Sequence, residues 1–329
     1  MRFKEIDKNG TVEGFALVKH MEKKTSKNGS YYLDMVLADL DGEISAKLWD
    51  YKEDIFPEIP LHSIVKVRGV ILQYNGMPQF RIDRIRPAIA ADNVKLEDFV
   101  PTAEYTGEMM MAEIRRVVEG FKDSQLKALV NALLDEYEDR LLVWPAAVKL
   151  HHAFRGGLLY HTLSIIRLAQ AVSKIYPSVD EDLLLTGVIL HDIAKTEEFN
   201  LSPAGLAENY TADGMLIGHL VRGAMAVERV GKELKIDHET LMCVQHMLIS
   251  HHGSPEYGAV VRPMFLEAEL LSQLDLLDSR IYEIVSATAE VQKGDFTPRQ
   301  WALEDRRLYN HGRKPLIPEA QLGINPEKN

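Results

Sequence analysis

The chain has 329 residues, of which 46% are hydrophobic and 26% charged, an ordinary composition for a globular protein and a length sufficient for two domains. Its formal net charge of −11 excludes a protein that holds polyanions by bulk charge, and its single cysteine, Cys243, excludes a disulfide framework. No stretch approaches the roughly 18–20 apolar residues that span a bilayer, and the charged start Met1-Arg2-Phe3-Lys4-Glu5 does not read as a signal peptide. A cytoplasmic protein with no membrane partner is therefore expected.

The first part of the chain reads as short strands. Residues 11–18 are β-rich and lead into a polar turn at 23–29; residues 31–40 form a second strand, closed by Asp41-Gly42, and 43–49 alternate as a third. Residues 64–74 and 79–85 follow as a fourth and fifth strand around the Asn75-Gly76 turn. Five short strands in this space predict a small closed barrel, with the OB-fold as the leading choice. The Asp41-Gly42 turn and the strand after it also resemble OB-fold nucleic-acid-binding domains. Residues 1–90 carry 14 Lys/Arg and 13 Asp/Glu, so the acidity lies almost wholly in the rest of the chain. Tyr31, Tyr74 and Phe80, with Lys66, Arg68 and Arg81, are the candidate contacts to bases and phosphates; filling of the barrel interior by the same aromatics is the competing reading.

Residues 91–107 read as a connector, punctuated by Pro101 and Gly107. Beyond it the hydrophobic period changes from 2 to 3.6. Helices are predicted over 108–137, 158–176, 181–196, 214–234, 238–252 and 263–292. Residues 316–329 read as an extended tail.

Five of these helices each place a metal-ligand residue type on an apolar face. His161 shares a face with Leu158, Ile165, Leu168 and Val172; His191, with Asp192 beside it, follows Leu184 and Val188. His219 lies between Met215 and Gly223, His251 follows Val244 and Leu248, and Asp275 follows Ala268 and Leu271. Five separate buried partners would be needed to satisfy these groups singly; one shared metal centre satisfies them together.

His161, His191-Asp192 and Asp275 resemble the H…HD…D pattern of the HD-domain metal-dependent phosphohydrolases, and His219 with the His251-His252 pair resembles the extra histidines of their dinuclear members. Taken with the barrel, the order and spacing resemble the YhaM-type 3′→5′ exoribonucleases, as do the segments running from His151 to Thr162 and from Ser250 to Gly258. The resemblance implies a multidomain chain: an all-β OB-fold domain over 1–90, a linker over 91–107, an all-α HD domain over 108–315 and a tail. It implies one metal held by His161, His191, Asp192 and Asp275, with Asp192 bridging to a second held by His219 and by His251, His252 or both. Asp278, one turn after Asp275, is the alternative ligand. Mixed His/carboxylate ligation allows Mn²⁺, Fe²⁺, Co²⁺ or Ni²⁺ without choosing among them; two divalent transition ions are expected, with Mn²⁺ as the leading candidate. Such a pair clamps a phosphodiester and activates water for in-line attack.

Lys195 shares the face of His191 and Asp192, where it either holds a substrate phosphate or snorkels to the surface. Asp192 and Lys195 are thus the candidate catalytic residues. His151, His152 and Arg155 precede the first ligand helix and are candidate supports at its mouth. The expected activity is 3′→5′ hydrolysis of single-stranded RNA, with single-stranded DNA as a further substrate and a homo-oligomer allowed for. A nucleotide or cyclic-dinucleotide phosphohydrolase is the alternative, although Gly253–Gly258 lacks the Gly-Tyr-Pro signature expected of the cyclic-di-GMP type. A non-catalytic nucleic-acid-binding regulator is the alternative from another class.

Overall fold

A computed structural model of the protein describes residues 11–40, 42–148, 152–202 and 204–324. The chain divides into two compact units. One runs to Thr102 and includes Ser202–Leu206; the other comprises Ala103–Leu201 and continues from Ala207.

The first unit is a closed five-stranded barrel of order β1-β2-β3-β5-β4, followed in the chain by the helical unit. Its strands are β1 (Thr11–Thr25), β2 (Tyr31–Ala38), β3 (Glu43–Leu48), β4 (Ile64–Tyr74) and β5 (Met77–Pro87). The β3–β5 pairing is parallel and the others are antiparallel. Period-2 alternation sends Leu33, Met35, Leu37, Ile44, Ala46, Leu48, Val65, Val67, Ile71, Phe80 and Ile82 inward as one core. Asn75 and Gly76, with φ of 50° and 78°, form the two-residue hairpin turn that their sequence predicts.

β1 runs seven residues beyond the expected strand end at 18. A bulge after Val18 resets the register, and residues 20–25 continue pairing with β2. This extension is polar, and Lys24 is tied to Asp34 at 2.8 Å, which explains why it read as a turn. Asp41, expected in the next turn, lies outside the described residues. The stretch read as a linker contains a short 3₁₀ turn at Leu96–Asp98, and its Phe99 and Val100 are buried with Leu17 and Ala38 of the barrel.

The second unit is helical: α1 (Gly107–Glu119), α2 (Ser124–Leu141), α3 (Gly157–Ile175), α4 (Glu181–Leu190) and the short α5 (Lys195–Glu198). A small hairpin, β6 (Phe199–Leu201) and β7 (Ala207–Tyr210), precedes α6 (Ala212–Leu216), α7 (Gly218–Glu233), α8 (His238–Ser250) and α9 (Leu266–Ala289). The single helix expected over 108–137 is thus two. Asp123 caps α2, and the Asp182 carboxylate accepts from the Lys122 and Asp123 N–H groups at 2.6 and 2.8 Å, fixing the break from 60 residues away. The helix expected over 214–234 is also divided, at Gly218 with φ of 74°. Met215 is therefore exposed rather than stacked on the face of His219.

The helices enclose one core. α4 comes close to α8 and α9 at Gly187, where a Cβ would lie 2.2 Å from Met247 Cε and 3.2 Å from Leu271 Cδ2. Part of the stretch read as a tail docks on α3. Leu322 is fully buried, the Ala320 carbonyl accepts from the Tyr160 hydroxyl at 3.0 Å, and the Leu322 carbonyl accepts from Arg167 Nε at 2.8 Å.

Gly69, at the irregularity between β4 and β5, has no room for a side chain: a Cβ would lie 2.0 Å from the Arg81 carbonyl oxygen. Gly69→Ala is expected to destabilise the barrel by about 1–3 kcal/mol, read as a lower urea midpoint of its β-sheet signal. An unchanged midpoint would contradict this strand register.

Candidate metal centre

The local folding of α3, α4 and α8 sets much of the site. α3 starts at Gly156, which takes φ of 76°, and His161 follows in its second turn. α4, capped by Asp180, ends at His191-Asp192. α8 ends at His251-His252. Helix C-termini leave carbonyls without intrahelical donors, and two histidines use this. His191 Nδ1 donates to the Val188 carbonyl and His251 Nδ1 to the Leu248 carbonyl, each at 2.8 Å. Each bond fixes the tautomer and leaves Nε2 as the ligating atom.

Carboxylates orient two further imidazoles. His161 Nδ1 donates to Asp278 Oδ2 at 2.8 Å, and His219 Nδ1 donates to Glu198 at 2.9 and 3.0 Å. Asp278 is itself held by His152 Nε2 at 2.9 Å and by the Ser164 hydroxyl.

The Nε2 atoms converge on Asp192, whose two oxygens face different partners. Oδ2 lies 3.2 Å from His191 Nε2 and 3.9 Å from His161 Nε2; Oδ1 lies 3.3 Å from His219 Nε2 and 3.7 Å from His251 Nε2. Asp275 Oδ1 completes the first set, 3.1 Å from His161 Nε2 and 4.0 Å from His191 Nε2. Potential ligand atoms of His219, His251 and His252 form a second cluster, all within 4.8 Å of one another. His252 Nδ1 donates to the Tyr257 carbonyl at 3.0 Å, so its Nε2 is also available for ligation.

These atoms fit a metal. Among the described residues, Nε2 of His191, His219 and His251 and Oδ1 of Asp192 are buried with no hydrogen-bond partner. Each such group costs about 1–3 kcal/mol if left unsatisfied. Burial, then the neighbouring His252 and His191, holds His251 well below the usual histidine range, in the neutral form that ligates. Burial opposes ionisation of Asp192, yet His191 and Lys195 hold its carboxyl well below the usual range. Burial likewise opposes charge on His161, but Asp275 and Asp278 push its pKa up to about 10. That rise reports surplus negative potential around the ring, which also attracts a divalent cation.

Lys195 Nζ donates to Asp192 Oδ2 at 2.7 Å, with its side chain 13% exposed; it points into the cluster and does not snorkel. Asp278 binds the Nδ1 side of His161, while Asp275 faces Nε2. His152 supports the site through Asp278. The Arg155 backbone carbonyl accepts from Ala103 N–H at 3.0 Å. His151 lies outside the described residues. Sequence reasoning missed Glu198, which sits six residues after Asp192 on a short helix with no periodic pattern to mark it.

On the barrel, Lys66 and Arg68 join Arg84, Arg86 and Phe56 around a cleft of about 520 Å³. Tyr31 is half exposed at the start of β2, with Lys23 Nζ 4.4 Å from its ring centroid. Tyr74 is exposed at the β4–β5 turn, and Arg81 is exposed on β5. Phe80 corrects the expectation: at 0% exposure in the barrel core, it offers no ring face to a base. The sequence reading did not select Trp49. Its ring stacks on Tyr32 at 4.6 Å, with Lys47 Nζ 4.9 Å from the Tyr32 centroid, an arrangement suited to stacking a base.

The HD domain profile matches residues 158–280, the segment that carries every proposed ligand. The 3′-5′ exoribonuclease YhaM of Listeria welshimeri is 38% identical over 309 residues, covering 94% of this chain and 98% of that protein. The chain belongs to the YhaM family. The YhaM of Bacillus subtilis is 36% identical over 298 residues, covering 91% of this chain and 94% of its own length. This YhaM-family chain therefore joins a barrel to a metal-dependent HD domain. Among the described residues, no helix is long and apolar enough to cross a membrane.

Asp278→Asn keeps the shape but weakens the hold on His161 Nδ1. It is expected to lower metal affinity by roughly 10- to 100-fold while leaving the helical spectrum intact, as calorimetric metal titration would measure. Wild-type affinity would remove Asp278 from its supporting role.

Proposed function

We propose that the chain is a 3′→5′ exoribonuclease that hydrolyses single-stranded RNA, and single-stranded DNA as a further substrate, at a dinuclear centre in its helical unit. The observation that carries this reading is the division of Asp192: one oxygen faces His161 and His191, the other His219 and His251. A single carboxylate between two imidazole sets suits a bridging ligand. His161, His191, Asp192 and Asp275 would hold one ion, and Asp192, His219, His251 and His252 the other. Mixed His/carboxylate ligation accepts Mn²⁺, Fe²⁺, Co²⁺ or Ni²⁺, and Mn²⁺ is taken as the first ion to test. When bound, such ions supply Lewis-acid activation of water and stabilise charge on the phosphate oxygens.

The protein groups have separate tasks in this reading. Asp278 and Glu198 lock the His161 and His219 rings. Lys195 brings a positive charge beside Asp192, where it steadies the carboxylate and attracts a substrate phosphate. Tyr32, Trp49 and Lys47 offer the strand a stacking face on the barrel. Lys66, Arg68 and Arg81 add phosphate contacts, and Tyr31 and Tyr74 add exposed rings.

The direct test is incubation of 5′-labelled single-stranded RNA with the purified protein and Mn²⁺, which is expected to give a ladder shortening from the 3′ end. Internal cuts in circular RNA would contradict exonucleolytic action. Asp192→Ala is expected to abolish the ladder and reduce bound metal while RNA binding largely survives; turnover at the wild-type rate with matched metal loading would overturn the site. Trp49→Ala is expected to weaken RNA binding by roughly 5- to 150-fold, the worth of about 1–3 kcal/mol of base stacking, in a fluorescence anisotropy titration.

A further inference from the structure

The helical unit carries a basic, aromatic surface that the proposed centre does not use. Residues 293–314 hold six Lys/Arg against three Asp/Glu, a net +3 within a region, 91–329, whose sum is −12. They form an irregular antiparallel hairpin. Phe296 bridges to Tyr309 and Gln300 to Arg306, with Thr297 N–H donating to the Leu308 carbonyl at 2.8 Å. Buried Thr297 and Leu303 anchor it, so its shape is fixed from within.

Its outer side is unusual. Phe296 and Tyr309 are half exposed, with ring centroids 5.0 Å apart, and the Arg307 guanidinium lies 5.6 Å from the Phe296 centroid. Trp301, at the hairpin tip, is 73% exposed. Arg299, Arg307, Arg313 and Lys314 are exposed, and among the described residues none of the four makes an ion pair. Exposed rings interleaved with unpaired cations match the chemistry of a single strand, whose bases stack and whose phosphates need counter-charge. An apolar partner would leave these cations desolvated and unpaired.

The hairpin is also tied to the helix that carries Asp275. Glu304, beside the tip, pairs with Arg280 of α9. Arg280 is five residues beyond Asp275, roughly 7.5 Å along the helix axis. We propose that residues 293–314 are a second single-strand-binding element, on the same unit as the metal centre, which holds part of the RNA strand. Bases stack on Phe296, Tyr309 and Trp301, and Arg299, Arg307, Arg313 and Lys314 contact phosphates. The inference rests on RNA being the substrate.

The test uses two variants of the full chain, Trp301→Ala/Tyr309→Ala and Arg299→Ala/Arg313→Ala/Lys314→Ala, with circular dichroism and metal content confirming the fold. Binding is read by anisotropy of a long 5′-labelled single-stranded RNA with a phosphorothioate 3′ end, over a range of salt. The aromatic variant is expected to bind roughly 5- to 150-fold more weakly. The cation variant is expected to flatten the slope of log affinity against log salt by about 2, near 0.7 for each lost phosphate contact. Wild-type affinity and slope in both variants, while the unmodified protein still gives the 3′ ladder, would overturn the second element and leave the exoribonuclease reading standing. Weakened binding with no ladder from the unmodified protein would support the element and remove the exoribonuclease reading. A changed oligomeric state on gel filtration with unchanged RNA affinity would make the surface an interface between copies and overturn the proposal.

Discussion

One carboxylate, that of Asp192, sets the arrangement of the helical unit. It is buried to 3% side-chain exposure, where an isolated negative charge is strongly disfavoured. Four imidazoles and one ammonium therefore gather around it, arriving from α3, the end of α4, α5, α7 and the end of α8. Among the described residues, Nε2 of His191, His219 and His251 is buried with no hydrogen-bond partner. The helices thus gather four imidazoles around one carboxylate, a set suited to a divalent cation, and the apolar core around them excludes the water that would otherwise screen the charge.

The way each ring is held differs with its place. His191 and His251 stand at helix ends and use their own helix's carbonyls. His161 and His219 stand near helix starts, where those carbonyls are engaged, so carboxylates from Asp278 and Glu198 take that role. Both solutions have the same outcome, with Nδ1 donating and Nε2 turned inward.

Much of this was legible in the sequence. The barrel followed from alternation and the Asn75-Gly76 turn, and the gathering of histidines and aspartates followed from their places on apolar faces. The failures have physical causes. Aromatic character alone put Phe80 on the surface, although its alternation with Arg81 and Ile82 already turned it inward. The break between α1 and α2 depends on Asp182, a contact that local periodicity does not contain. The spacing of Asp275 and Asp278 put both carboxylates near one helix face, but only the structure separates the Nε2 partner from the Nδ1 partner. Glu198 has no pattern at all, because its place is decided by tertiary packing of a four-residue helix.

Gly187 has a further consequence for the centre. It lies one turn before His191, its carbonyl accepts the His191 N–H at 2.8 Å, and its missing side chain lets α4 close on Met247 of α8 and Leu271 of α9. Those helices carry His191-Asp192, His251 and Asp275. The separation of ligands from three helices is thus fixed by apolar contact one turn below them, independently of ligand chemistry. Were the proposed centre loaded, a cage braced in this way would resist dilation and so disfavour an ion such as Ca²⁺, which takes longer bonds and more oxygens.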